Sequence, residues 1–388
     1  MGNMHEKGAQ AVLTESPVAM PSLWEAPPSG GFATPATGVA PLIADTDFAR
    51  VASDLDIWDA WPVQLSGGQT AEFASGSTLW MALGTPPFDD PDERHGHARI
   101  HLLQQRNGVW NHLGRAMPDG FSPGSREWSG SAIFDEATRT ITLYFTATGV
   151  RGEPEPSFAQ RIFRARATLP PEEPVRLVDW RDLEEIVVRD PAHYMASDGG
   201  EGTIGTIKAF RDPAYFLDPA SGRSHLLFTA SAAGSTSSYN GVVGLATATD
   251  SSLDTWRIEP PIISADGLNN ELERPHVIRR DGSYYLFWST QRHVFNPDRV
   301  SGPTGLYGMV ADSLRGDWQP LNGTGLVFAN PADAPAQAYS WLVMPNLGVT
   351  SFVDDWGHAQ GKVGRRFGAT FAPDLRLKLE GNTAKIEI

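Results

Sequence analysis

Five times along this chain a polar head is followed by a short apolar run, a turn and a second apolar run. The clearest copies are 127–134 turning into 141–146, 211–217 turning into 225–229, and 273–278 turning into 284–288. Looser copies open at Trp58-Asp59 and Tyr339-Ser340, with second runs at 79–83 and 347–352. The heads, Asp59, Glu127, Asp212, Glu273 and Ser340, follow one another at intervals of 61 to 85 residues. A hairpin with a reactive head, repeated at that period, predicts five sheets set radially about one axis with the heads gathered at one end. The expected fold is therefore all-β, a five-bladed β-propeller with its site at one end of the central axis. Apolar runs at 98–103, 161–165 and 241–246 alternate with period two and supply further strands of each sheet. A β-sandwich could hold the same strands, but it would not explain site-like residues recurring at one position of every unit.

The 39 Gly and 30 Pro suit many turns and short strands. Only 46–55 and 180–186 read as short helices. Six prolines between Pro17 and Pro41 predict an extended arm over 1–45, ahead of a single catalytic domain over 46–388. With 40% hydrophobic and 20% charged residues the chain can build a sizeable core. A formal charge of −15 argues against nucleic acid and anionic membrane surfaces as partners. No apolar run is long enough to span a bilayer. The first residues show no secretory leader: the apolar stretch Ala11-Val12-Leu13 is too short. Without cysteine, disulfides and thiolate chemistry are excluded, while the compartment stays open.

Three acids stand at heads: Asp59 in Trp58-Asp59-Ala60-Trp61-Pro62, Asp212 after Arg211, and Glu273 before Arg274. A carboxylate beside aromatic rings is costly to bury unless it is paired or functional. Trp58 and Trp61 offer flat apolar surface of the kind on which sugar rings rest. Each acid has an ordinary alternative: Asp59 caps a turn, Asp212 pairs with Arg211, and Glu273 pairs with Arg274. Three acids at equivalent heads weigh against that alternative. Paired carboxylates in one pocket are the machinery of glycoside hydrolysis, one as nucleophile or base and the other as acid. An arginine fork can orient a carboxylate while donating to sugar hydroxyls.

Trp58-Asp59-Ala60-Trp61-Pro62, Glu127-Trp128-Ser129-Gly130-Ser131, Phe210-Arg211-Asp212-Pro213 and Glu271-Leu272-Glu273-Arg274-Pro275-His276 resemble the four signature motifs of glycoside hydrolase family 68, the levansucrases, inulosucrases and β-fructofuranosidases. The segments 92–99 and 302–308 are also similar, so the resemblance runs from about Asp56 to about Leu379. It implies a five-bladed propeller, in agreement with the repeats. It also implies sucrose cleavage by double displacement, with Asp59 as nucleophile, Asp212 as transition-state stabiliser and Glu273 as general acid/base. Trp58, Trp128, Ser129, Arg211, Glu271 and Tyr339 match sucrose-holding positions. The fructosyl group would pass to water, sucrose or short fructans, and no cofactor is required. A mainly hydrolytic β-fructofuranosidase and a non-catalytic carbohydrate-binding propeller are the alternative readings. The resemblance further implies a bacterial protein acting outside the cell.

Several positions depart from the family pattern. Phe228 is followed by Thr229 where many members carry Glu, and the stretch 232–241 is short. At the acceptor side, where many members place His or Arg, stands Gln291 with Arg292 adjacent. Gram-positive members bind a structural calcium through an Asp just before the Glu-x-Glu-Arg motif; here it is Asn270, one charge poorer, which argues against a metal. His95, His97 and His101 would share one face of a strand without a Cys or carboxylate partner, which favours a structural or rim role over a metal site. The acidic run 89–93 reads as a solvated loop, and Met309 and Met344 as core.

Overall fold

Period-two patterning yields a nearly all-β architecture. The computed structural model describes residues 20–27, 31–32, 38–73, 76–197 and 207–387; the rest of the expected arm lies outside them. Among the described residues, a first antiparallel meander runs through β2 (Asp56–Gln64), β4 (Ser77–Thr85), β5 (Arg99–Arg106) and β6 (Val109–Arg115), with β1 (Ser22–Leu23) and β3 (Glu72–Phe73) outside that series. A second comprises β7 (Arg126–Asp135), β8 (Thr140–Thr148), β9 (Gln160–Thr168) and β10 (Val178–Val187). The third is β11 (Phe210–Asp218), β12 (Arg223–Ser231), β13 (Gly241–Ala248) and β14 (Trp256–Ser264). The fourth contains β15 (Glu273–Arg280), β16 (Ser283–Thr290), β17 (Gly305–Ala311), β18 (Gln319–Pro320) and β19 (Leu326–Ala329). The fifth is β20 (Ala338–Val343), β21 (Gly348–Val353), β22 (Leu375–Glu380) and β23 (Thr383–Ile386).

These meanders form four hydrogen-bonded sheets, because a two-residue parallel pairing, Val63 with Ala132 and Gln64 with Ile133, joins β2 to β7. Apolar faces of successive meanders pack on one another. Ile133, Tyr144 and Ile162 meet Phe210, Tyr215 and Phe228; Leu227, Val243 and Leu245 meet Val277, Leu286 and Trp288. Phe287 and Phe328 share a core with Trp341 and Phe352, and so do Trp61 and Met81, so the fifth meander is in one cluster with the first.

Both helix expectations are corrected. Residues 46–55 run as turns and extended chain. Residues 180–186 lie within β10, an edge strand paired with β9 through three register shifts. Its charged residues are solvated at the edge while the β9 ladder satisfies its backbone, which outweighs weak helix propensity. Among the described residues of 1–45, β1 lies parallel to β14.

Candidate active site

The five heads owe their position to one local device. Every first strand loses register with its partner at the head: between Trp58 and Trp61, Trp128 and Gly130, Arg211 and Ala214, Glu273 and His276, and Tyr339 and Leu342. A bulge of this kind re-aims side chains and ends regular pairing. At four of the five, the second residue is left-handed: Asp59 (φ 49°), Asp212 (62°), Arg274 (49°) and Ser340 (62°). Such a conformation costs an L-residue roughly 1–2 kcal/mol. The repeat is therefore a two-residue head, with Trp58, Trp128, Arg211, Glu273 and Tyr339 first and Asp59, Ser129, Asp212, Arg274 and Ser340 second. Glu127, taken as a head from sequence, precedes its bulge. Its buried carboxylate accepts from the Ile100 N–H at 2.8 Å, near Arg99, Arg115 and Arg151.

Two arginines knit the heads together: Arg211 keeps its sequence neighbour Asp212 and adds Glu273, whereas Arg274 leaves Glu273 for Asp59. Arg211 Nη2 lies 2.7 Å from Glu273 Oε1 and 3.5 Å from Glu271, and its Nε is 3.5 Å from Asp212. Arg274 faces Asp59 at 3.9 Å instead of pairing with Glu273. It also donates to the Ser340 hydroxyl at 2.9 Å and the Ala60 carbonyl at 2.7 Å. The Tyr339 hydroxyl donates to Glu273 Oε2. Asp212 accepts from the Ser129 hydroxyl at 2.7 Å and the Thr229 hydroxyl at 3.1 Å. Asp59, Asp212 and Glu273 thus come from three different meanders into one charged cluster.

Enclosure shifts the protonation of Asp59, Asp212 and Glu271. Burial raises Asp59 above the usual carboxylate range, while Arg274 and the Ser340 hydroxyl oppose it. Burial likewise pushes Asp212 to about 6 against the pull of Arg211. Glu271 rises to about 7 through burial and repulsion from Glu273. Tyr339 is held well above the usual phenol range by burial and by Glu273, so it remains a donor. The Asp59 and Glu273 side chains keep 21% and 20% accessibility. Such a set can attack an electrophilic carbon with one carboxylate and move a proton with another.

The remaining expected residues divide. Trp128 is half-buried, donates from Nε1 to the His95 carbonyl at 3.3 Å, and lies 6.0 Å from the Arg211 guanidinium. Trp58 and Trp61 are each 2% exposed, so neither ring offers the open face expected from sequence; both are enclosed by the core that supports Asp59. Gln291 heads the 3-10 turn Arg292–Val294 without a side-chain cap hydrogen bond, and Arg292 is exposed. That turn is pinned beside Glu271 by the Asn270 N–H, which donates to the Val294 carbonyl at 3.0 Å.

Sequence reasoning gave no site role to Thr229 or His293 and read His95 as structural or at the rim. Thr229 sits opposite Arg211 in the hairpin register, a signal legible only once the bulge is known. His293, within electrostatic reach of Glu273 and Asp354, follows Gln291 by two residues. His95, exposed on the 3-10 turn Pro91–Gly96, packs edge-on to Trp58 at 6.1 Å. The three histidines do not share a strand face: His97 ends that turn and stacks on Phe88, and His101 on β5 contacts His112 at 2.8 Å. The run 89–93 is more structured than expected, with Asp90 capping the turn and Asp92 paired to Arg94 and Arg365. Met309 is fully buried, Met344 only partly. Among the described residues, no group of three or more His, Cys, Asp or Glu is placed to hold a metal ion.

Against known proteins, the chain matches the family model described as Levansucrase/Invertase over residues 32–241 and 235–388. It is 32% identical over 384 residues to a levansucrase of Rahnella aquatilis, covering 89% of each chain. It is 31% identical over 390 residues to levansucrase LscC of Pseudomonas savastanoi pv. glycinea, covering 90% of this chain and 87% of that one. The solved inulosucrase from Halalkalicoccus jeotgali, bound to kestose, is similar with a TM-score of 0.84 at 31% identity over 95% of both chains. The levansucrase from Gluconacetobacter diazotrophicus shares the fold, with a TM-score of 0.82 at 24% identity over 97% of this chain and 92% of that one.

Proposed function

We infer, from the premise that this chain belongs to the levansucrase/invertase family of glycoside hydrolases, that it is a sucrose-cleaving fructosyltransferase. The observation that carries the reading is the convergence of Asp59, Asp212 and Glu273, each on its own bulge, around Arg211 and Arg274. The five meanders are read as the blades of a single five-bladed propeller over 46–388, with the bulges ringing one end of its axis.

Sucrose is an activated donor because one bond ties up both anomeric carbons. Asp59 attacks the fructosyl anomeric carbon, and Glu273 gives its proton to the departing glucose oxygen, leaving a covalent fructosyl-enzyme. Glu273 then takes a proton from the incoming acceptor hydroxyl, and the Asp59 ester bond breaks with net retention. Tyr339 and Arg211 both hold Glu273, so its two oxygens keep fixed directions through both steps. Asp212, oriented by Ser129 and Thr229, stabilises the positive charge that grows on the fructosyl ring. Trp128, Ser129, Arg211, Glu271 and Tyr339 hold the sugar, with Trp58 packed behind Asp59. Acceptors are water, sucrose and short fructans; the chemistry needs no cofactor.

Incubation with concentrated sucrose, followed by resolution of glucose, fructose, oligosaccharides and polymer, tests the activity. Asp59→Asn and Glu273→Gln should each lower turnover by several orders of magnitude, with circular dichroism unchanged. A folded Asp59→Asn protein of near-normal activity would refute the mechanism. At the acceptor side, Gln291 and the short 232–241 connection leave few charged contacts for a growing fructan. Glucose release should exceed polymer formation, and Gln291→His should change the ratio of transfer to hydrolysis while sucrose cleavage persists. High-mass fructan from the wild type, with no effect of the substitution, would remove the acceptor-side reading alone.

A further inference from the structure

Asn270 stands immediately before Glu271, at the position where family resemblance implies an acidic ligand to a structural cation. A different cation is already there. Lys208, on the segment leading into β11, donates from Nζ to the Ser238 carbonyl at 2.6 Å, to Asn240 Oδ1 at 2.7 Å and to Asn270 Oδ1 at 3.1 Å. An ammonium has three N–H donors and no acceptor, so three oxygens satisfy it. Both asparagines are fully buried, and each commits its amide nitrogen elsewhere. Asn270 Nδ2 donates to the Ile207 carbonyl at 2.8 Å, and Asn240 Nδ2 to the Ala232 carbonyl at 2.8 Å. An aspartate at 270 would set a carboxylate oxygen against the Ile207 carbonyl, so the amide fits this site better than the acid does.

A calcium ion does not fit the same residues. It takes about six to eight oxygens, with carboxylates usually among them. The three oxygens here are neutral, and the nearby acids are engaged: Glu271 lies 3.5 Å from Arg211, and Asp266 accepts from the Ser235 hydroxyl.

We propose that Lys208 is a covalently built-in replacement for a bound metal cation. It ties the β12–β13 connection, through Ser238 and Asn240, to the turn that presents Glu271 and Glu273. A bound ion stabilises by an amount that depends on its free concentration. A side-chain ammonium is always present, so the geometry around Glu273 should not depend on any divalent cation. The comparison with a metal rests on the family reading, whereas the contacts themselves involve no sugar.

Thermal unfolding of the full chain in EDTA, and separately in added Ca2+, is the first measurement. The expected result is the same Tm in both. A Tm that falls in EDTA and recovers with Ca2+ overturns the proposal, and this arm needs no variant. The second measurement is the Tm of Lys208→Met, which keeps the stem and leaves three oxygens without their donor. A fall of roughly 3–8 °C that Ca2+ does not restore is expected. A Lys208→Met protein as stable as the wild type, or one restored by Ca2+, overturns it. Both readouts are independent of sucrose. A chain with these unfolding properties that fails to split sucrose would sink the assigned activity and leave this inference standing.

Discussion

A carboxylate enclosed for chemistry works against the fold that encloses it, and Asp212 is the clearest case. Burial raises it from an ordinary 3.8 to about 6, with Arg211 and the Ser129 hydroxyl opposing and Glu273 and Asp59 reinforcing the shift. Because the folded pKa lies above the unfolded one, the folded state holds this proton more tightly. That contribution to stability is complete below about pH 4 and is lost as pH rises through about 6. Above that pH, Asp212→Asn should leave the protein as stable as the wild type or raise its stability by up to about 2–3 kcal/mol. Calorimetry at pH 7.5 on a variant with abolished turnover would read this directly. Joint loss of stability and turnover would instead mark Asp212 as a structural acid. The same titration predicts that sucrose turnover by the wild type climbs as pH rises through about 6, the range in which Asp212 becomes charged.

At the scale of elements, the bulge and the hydroxyl opposite it do the positioning. Thr146, Thr229 and Ser289 lie opposite Trp128, Arg211 and Glu273, and each accepts a backbone N–H from the next meander: Asp212, Arg274 and Trp341 respectively. Thr146 donates its own proton to the Ser129 carbonyl, whereas Thr229 donates to the Asp212 carboxylate. Thr229→Val should therefore lower kcat by about tenfold or more. Thr229→Ser should restore it; equal impairment in both variants would assign the effect to packing of the methyl group. Apolar runs and turns made the hairpins legible in the sequence, and the position of Asp59 and Asp212 in the repeat was legible with them. The two-residue bulge was not, because a register shift leaves no periodic trace. Glu127 was consequently taken for a head in place of Trp128-Ser129. The ordinary alternative of an Arg274–Glu273 pair fails for the same local reason, because the left-handed turn at 274 sends the arginine to Asp59. The stretch 180–186 misled for another reason: an edge strand with one solvated side carries charges much as a helix surface does.

For the whole molecule, recurrence of one unit at a domain-like spacing constrained the architecture more than any single motif, since no hairpin can bury both faces alone. How the units are fastened together lay beyond the repeat, and the N-terminal segment shows why. Proline content predicted an extended arm but not where it docks. Trp24 is 1% exposed, and its N–H bonds the Ser264 carbonyl at the end of β14 in the third meander. Its indole lies 5.0 Å from Trp288 and 5.1 Å from Tyr307 in the fourth, and its Nε1 donates to the Thr324 carbonyl at 3.0 Å. One buried residue thus joins two successive meanders, its backbone bonded to the third and its indole packed in the fourth. Truncating a buried tryptophan typically costs about 3–5 kcal/mol through lost burial and the cavity left behind. Trp24→Ala should lower the Tm accordingly while leaving KM and kcat for sucrose at 25 °C close to wild type, because the clasp touches none of the acids. Differential scanning calorimetry beside steady-state kinetics separates the outcomes. An unchanged Tm would mean the segment merely rests on the surface, and a fall in kcat at full stability would mean that the third and fourth meanders pass strain from this clasp to Asp212 and Glu273.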